Sequence, residues 1–440
     1  MPDNESITLR RGLGFWALVV YGVGDILGAG IYALVGKIAG VAGTSSWLAF
    51  AVALGAATLT ALSYAELGSR FPKSGGEAQF CQQAFHSPEL SLFIGWLVLC
   101  SGLVSMAAIS HGFAGYLVGL FSGEHFIAKY LIIAMFLTML AGVNFWGIRL
   151  SSLVNIICTC VETGGLLIVI FVGTLFLWNG SEASPPAAEA IEAANASWTI
   201  VLTGAGLAFF AFIGFEDMVN VAEEVESPER NLPAAILTAL LLAGGIYIAV
   251  VSIATSIVPP ETLAESDAPL LEVVHRAAPA FPMWIFTLIA LFAVANTGLL
   301  NCIMGSRLLY GMAEQRLLPH FLSRVNGLTQ TPHWAIVTLL IAGILLAFSG
   351  TLAYLAGTTS VLLLIVFATV NVSLVVVKWR QPEAPDTFRV PLLIPILGGL
   401  TCLILIRFLP PKSLLTASGL FLFGLILVLA RIMRRPVAPD

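Results

Sequence analysis

Long apolar stretches separated by short polar ones fill the chain from Leu13 to Met433. Twelve runs have about the length, roughly 18–28 residues, that crosses a bilayer as a helix. They fall at 13–39, 45–68, 91–120, 127–147, 151–178, 198–222, 232–257, 281–312, 333–349, 353–378, 391–408 and 413–433. The pattern predicts an all-α integral membrane protein with twelve transmembrane helices. Two runs interrupt themselves. The first places Asp25 before Gly28-Ala29-Gly30, and the sixth places Gly214 before Glu216-Asp217. Gly is the poorest ordinary helix former, and an ionised side chain at mid-membrane costs about 2.5–3.5 kcal/mol. A broken helix is tolerated in lipid only where its freed backbone is buried in protein or lines a cavity. Breaks in spans one and six therefore predict two inverted five-helix repeats with a polar site near the midplane, and spans eleven and twelve appended.

Composition supports the membrane reading. The 440 residues are 58% hydrophobic and 10% charged, against roughly 25% charged in soluble domains. The first run is too long for a cleavable signal peptide and leads straight into further spans. The six cysteines form no pair or cluster with metal-binding spacing, so they read as small core residues, with no metal or cofactor implied. No HExxH, phosphate loop or nucleophile elbow is present, which argues against a membrane enzyme. The tails, 1–12 and 434–440, are too short to hold the signalling domain of a receptor.

The basic residues orient the chain. With twelve spans, fifteen Lys and Arg fall on the side of both termini and five on the other. Both termini are thus expected in the cytoplasm. The expected order is a cytoplasmic tail (1–12), spans one to five (13–178), an extracytoplasmic loop (179–197), spans six to ten (198–378), spans eleven and twelve (391–433), and a cytoplasmic tail (434–440). Short termini and compact loops suggest a bacterial inner membrane.

Five ordered motifs carry a family resemblance. Residues 209–236, FFAFIGFEDMVNVAEEVESPERNLPAAI, closely resemble the signature of the amino acid–polyamine–organocation superfamily of amino acid permeases. GAGIY at 28–32, YAELGSRFPKSGGE at 64–77, SRLLYGMAEQRLLP at 306–319 and FRVPLLIPILG at 388–398 match its other motifs in order. Within it, the chain is most similar to bacterial relatives of the cationic amino acid transporters. The resemblance implies an amino acid held by its α-amino and α-carboxylate groups, largely by backbone.

Physical reasoning places those contacts. A half-helix N-terminus binds anions through free N–H groups and its dipole, so the carboxylate is expected on Ala29 and Gly30. By motif match the ammonium falls to the carbonyls of Ile26, Phe210, Ala211 and Ile213. Gly28, Gly30 and Gly214 let the backbone approach the ligand. The resemblance also suggests Phe212 as an aromatic gate; a packed core Phe is the alternative. Met106, Ala107 and Ile109 in span three, and Asn296, Leu299 and Asn301 in span eight, are side-chain pocket candidates of unknown helical phase.

One departure bears on coupling. Aligning Val154-Asn155 with the family pattern puts Glu162 where many relatives carry a Lys. An acid in mid-helix is a plausible proton carrier, so Glu162, with Asp25 as second candidate, is expected to bind the coupling proton. A permanently protonated, structural Glu162 is the alternative. Glu223, Glu224 and Glu226 read as a solvated or gating cluster pairing with Arg70 or another cytoplasmic Arg. The expected function is proton-coupled import of amino acids, small neutral or broad in range. An amino acid exchanger and a polyamine or amine transporter remain the alternatives. The expected partners are the substrate and the lipid bilayer, with no nucleic acid, in a monomer or weak homo-oligomer.

Overall fold

The computed structural model describes residues 13–73, 76–119, 126–146, 148–180, 198–314, 318–327, 329, 331–381 and 387–433, with backbone alone for 126–128, 148–156 and 314. The tails, most of the 179–197 loop, and the side chains of Val154 and Asn155 lie outside the described residues.

The described residues are helical, with no strand beyond one isolated bridge between Leu13 and Val225. In chain order the helices are α1 (Phe15–Ile26), α2 (Ala29–Ala42), α3 (Ser46–Arg70), α4 (Gly76–Phe85), α5 (Pro88–Val118), α6 (Phe126–Trp146), α7 (Ile148–Trp178) and α8 (Trp198–Ala208). After two 3-10 stretches, Phe209–Phe212 and Phe215–Glu224, come α9 (Pro228–Ile257), α10 (Pro260–Glu265), α11 (Pro269–Ala277), α12 (Met283–Glu314), α13 (His333–Ala347), α14 (Leu352–Arg380), α15 (Leu393–Arg407) and α16 (Pro411–Met433). Nine helical stretches among the described residues are long and apolar enough to cross a membrane. Three shorter apolar helices, α1, α13 and α15, accompany them. Large apolar side chains such as Trp16, Phe171, Leu345 and Ile426 face outward. An apolar exterior of this extent suits lipid, since soluble monomers rarely expose contiguous apolar patches beyond a few hundred Å². The chain is a multi-pass membrane protein.

Both breaks have a local cause. α1 ends when Leu27 turns extended, and Gly28 (φ −162°, ψ −139°) turns the chain into α2. The continuous run at 13–39 is therefore two helices. The sixth run is α-helical only to Ala208; Ile213 is extended, and Gly214 sits at φ +127°, a conformation open to glycine. Beyond it the chain continues in 3-10 turns to Glu224. Hydrophobic patterning missed α4, α10 and α11, which are short and partly polar.

A buried ionic knot fastens one end of the bundle. Glu66 of α3 is fully buried and pairs with Arg70 at 2.6 Å and with Lys378 of α14 at 2.7 Å. It also accepts the Val390 N–H at 2.8 Å, tying in the segment before α15. Of the expected partners of the Glu223, Glu224 and Glu226 cluster, Arg70 is taken by Glu66, one helical turn before it. The backbone around Glu224 and Glu226 instead clasps Leu13, through Leu13 N–H to Glu224 O and Glu226 N–H to Leu13 O, both 3.0 Å.

Candidate substrate site

The two breaks face each other. A Cβ on Gly30 would lie 2.5 Å from Cα of Ala211, and one on Gly214 would lie 2.7 Å from the Asp25 carbonyl oxygen. Only residues without a side chain allow this backbone approach. Between the breaks lies a narrow cavity of about 40 Å³, room for roughly three waters. Span one contributes Asp25, Ile26, Ala29 and Gly30, and span six contributes Phe210, Ala211, Ile213, Gly214, Glu216 and Asp217. α5 adds Ser101 and Ser105, α12 adds Thr297 and Asn301, and α14 adds Thr359.

The backbone groups assigned to the substrate are close at hand, and two have partners. The Ala29 N–H donates to the Thr297 hydroxyl at 3.1 Å. The Ile26 carbonyl accepts the Tyr247 hydroxyl of α9. A carbonyl keeps a second lone pair, so Ile26 can still face a cation. Gly30, one residue further into α2, is among the N-terminal residues whose N–H groups have no partner within the helix. Gly28 lies behind the cavity, against Thr297, where its Cβ would meet the hydroxyl at 2.0 Å.

Phe212 does not line the cavity. It is fully buried between Phe50 and Tyr247, with ring centroids at 6.2 and 5.4 Å. Phe210 takes the lining position. The physical reason is the 3-10 winding of Phe209–Phe212, which advances each side chain about 120° and so changes the face it shows. Of the pocket candidates in α5 and α12, Asn301 lines the cavity and Met106, Ala107, Ile109, Asn296 and Leu299 do not. Met106 points at Gly343 of α13. Ser101, Ser105, Thr297 and Thr359 were missed; small hydroxyl residues within apolar helices were the available signal.

The acids divide into two groups. Among the described residues Asp25, Glu216 and Asp217 line the cavity, and no Lys, Arg or His does. Glu216 accepts the Gly214 N–H at 2.8 Å, and Asp217 accepts the Asn220 amide at 3.2 Å. Glu162 is fully buried in α7 and does not line the cavity. Its carboxyl oxygens lie within hydrogen-bonding reach of the Asn296 and Thr159 side chains, without a well-aligned bond among the described residues. Its backbone carbonyl accepts the Tyr32 hydroxyl of α2 at 2.6 Å.

A wider vestibule adjoins the site. Asp25, Val98, Asp217, Leu300 and Met304 also line a vestibule of about 530 Å³ that extends to Glu77, Glu224 and Arg307. Glu77 belongs to α4, outside the apolar spans. Burial pushes its carboxyl up to about 7, against the opposing hydrogen bond from Tyr64. At the other end α10 and α11 cover α2. Lys37 donates to the Ala264 carbonyl at 2.5 Å, and Lys129 of α6 pairs with Asp267 at 2.5 Å.

Two broken helices that meet at a narrow polar cavity, in a multi-pass membrane protein, suit a transporter. The sequence profile of the amino acid permease family matches residues 13–430, and the chain belongs to that family. It is 32% identical over 345 residues to the chloroplastic cationic amino acid transporter 9 of Arabidopsis thaliana, covering 74% of this chain and 59% of the relative. It is 28% identical over 427 residues to a branched-chain amino acid permease of Bacillus subtilis, covering 91% and 88%. A methylthioribose transporter of the same bacterium is 27% identical over 428 residues, covering 91% and 89%. The chain spans about three fifths of the length of the plant cationic amino acid transporters it matches.

Proposed function

We propose that this protein imports amino acids across a bacterial cytoplasmic membrane by alternating access, driven by proton symport. In this reading it has twelve spans, α1 and α2 forming the first and α8 with the following 3-10 stretches the sixth. Spans one to five and six to ten are inverted repeats, and both termini are cytoplasmic. The vestibule toward Arg307 then faces the cytoplasm, and α10 and α11 close the outside. One observation carries the reading: both breaks meet at a cavity lined by Ala29 and Gly30, at a helix N-terminus, and by the carboxyl-bearing Asp25, Glu216 and Asp217. The donors suit a carboxylate, and the acids suit an ammonium group or a proton. Glu162 and Asp25 are the proton carriers, since an intramembrane acid is functional by default.

A second substrate reading has its own support. The Ala29 N–H is already bonded to Thr297, and one relative is named for a neutral thiosugar. A hydroxylated neutral solute would suit the Ser101, Ser105, Asn301 and Thr359 side of the cavity.

The test is uptake into proteoliposomes under an imposed inward proton gradient, using labelled leucine, arginine and methylthioribose. Amino acid accumulation in unloaded vesicles, lost when the gradient collapses, is the expected result. Uptake only into preloaded vesicles would instead make the protein an exchanger. Glu162→Gln should abolish accumulation and spare exchange; full proton coupling in that variant would remove Glu162 from the mechanism.

A further inference from the structure

Asp25 and Asp217 lie on separate elements, 192 residues apart in the chain, α1 and the 3-10 stretch Phe215–Glu224. Both line the central cavity and the vestibule, so they stand where the two meet. Their carboxyl groups are within hydrogen-bonding reach of each other. Asp25 is 8% exposed, and its Oδ2 is buried without a hydrogen-bond partner. Two carboxylates cannot both be ionised in such contact without strong repulsion; a carboxyl and a carboxylate sharing one proton form a strong hydrogen bond.

We propose that Asp25 and Asp217 together bind one transported proton, which ties the inner halves of spans one and six at the floor of the substrate site. The proposal rests on the proton-coupled reading above and names Asp217 as the group that shares the proton carried by Asp25. When the proton is present, the pair carries one negative charge and one O–H donates to the opposite carboxylate. When it departs into the vestibule, the pair carries two charges and the tie becomes a repulsion. The same two segments are also joined at their far ends by the backbone clasp of Leu13 with Glu224 and Glu226. Loss of the proton therefore opens the cavity end and leaves the far end held.

The surrounding groups fit this assignment. Tyr21 faces the pair from α1, Glu216 from the span-six stretch, Glu77 from α4 and Glu162 from α7. On the vestibule wall Arg307 of α12 and Glu224 of the span-six stretch both lie near Tyr21. Among the described residues lining the central cavity none is basic, so a doubly ionised pair has no compensating charge there.

The amide variants Asp25→Asn and Asp217→Asn test this. Each keeps a donor facing a carboxylate, so the tie survives with fixed charge and no exchangeable proton. Proteoliposomes loaded with a pH-sensitive dye report internal acidification on adding leucine or arginine, whichever the wild type accumulates; counterflow of the same labelled amino acid reports transport without coupling. In both variants acidification per amino acid moved should fall at least tenfold, and the pH dependence of counterflow should flatten between pH 5 and 8. The double variant should couple no worse than either single one, because the pair binds one proton. Should an Asn variant fail to give monodisperse protein, Ser at that position replaces it. Wild-type acidification in Asp217→Asn, with loss in Asp25→Asn alone, would overturn the pair. If Glu162→Gln loses coupling while both Asn variants retain it, the proton reading stands and the pair does not. If the wild type shows no substrate-driven acidification, the proton reading fails and the pair falls with it.

Discussion

Gly30→Ala isolates the close approach of the two breaks from every other feature of the site. The added methyl would lie 2.5 Å from Cα of Ala211 and 2.8 Å from its Cβ. Ordinary contact starts at 3.4 Å, so the segments must part by about 0.9 Å (3.4 minus 2.5). The obstructing atom is backbone and cannot rotate away. Overpacking of this kind costs about 1–3 kcal/mol, while Ala in place of Gly within a helix returns about 1 kcal/mol. The net loss is about 0–2 kcal/mol. At an unfolding entropy of about 2.1 cal/mol/K per residue, that lowers Tm by about 2 °C or less. The protein therefore folds, but its site is out of register by more than the ~0.5 Å a binding constellation tolerates. Uptake should fall at least about tenfold. Stabilisation by substrate, about 2.7 kcal/mol at a hundredfold excess over Kd, should vanish from thermal melts. Gly55→Ala and Gly164→Ala, where the new methyl meets nothing within 4 Å, serve as controls and should transport normally. Wild-type uptake and a wild-type ligand shift in Gly30→Ala would refute the reasoning that backbone proximity builds the site.

Three further outcomes follow from other parts of the structure. Glu66→Gln leaves Arg70 and Lys378 around a neutral amide; breaking a buried pair from one side costs about 3–5 kcal/mol. Its Tm should drop by about 3–5 °C, and Lys378→Met added to it should recover part of the loss; an unchanged melt would dismiss the knot as a fastener. Glu77 binds its proton more tightly folded, near 7, than unfolded, near 4.5. Protein stability should thus fall as pH rises from about 4.5 through about 7, and Glu77→Gln should flatten that slope in a series of thermal melts. Phe212→Ala should destabilise by about 3–5 kcal/mol as a core truncation. Phe210→Ala should chiefly weaken substrate binding in saturation assays, and the reverse pattern would restore Phe212 to the gate.

The long apolar helices were legible because a helix that must cross lipid needs a long apolar run, and few other constraints produce one. The breaks were legible because Gly28, Gly30 and Gly214 sit beside acids that lipid does not accept. α4, α10 and α11 were not, since a short helix on the surface of a bundle needs only a few apolar residues. Phe212 was misplaced for want of helical phase: neither the 3-10 winding of 209–212 nor its contact with Phe50 and Tyr247 is written in local pattern. The same limit hid Thr297 while Asn296, its neighbour in sequence, was named. Asp25 and Asp217 were both visible as misfits, but only the fold brings them together.

The bond from Ala29 N–H to the Thr297 hydroxyl has a consequence for biogenesis. Its partners lie 268 residues apart. At about 5–20 residues per second, ribosomal synthesis takes roughly 13–54 s to supply the second after the first. Throughout that interval the N-terminal amides of α2 sit in a nascent chain whose matching wall does not exist. The insertion machinery, or water held within it, must hydrate the break until α12 arrives. The first span of this protein is therefore a helix pair that the membrane admits early and completes late.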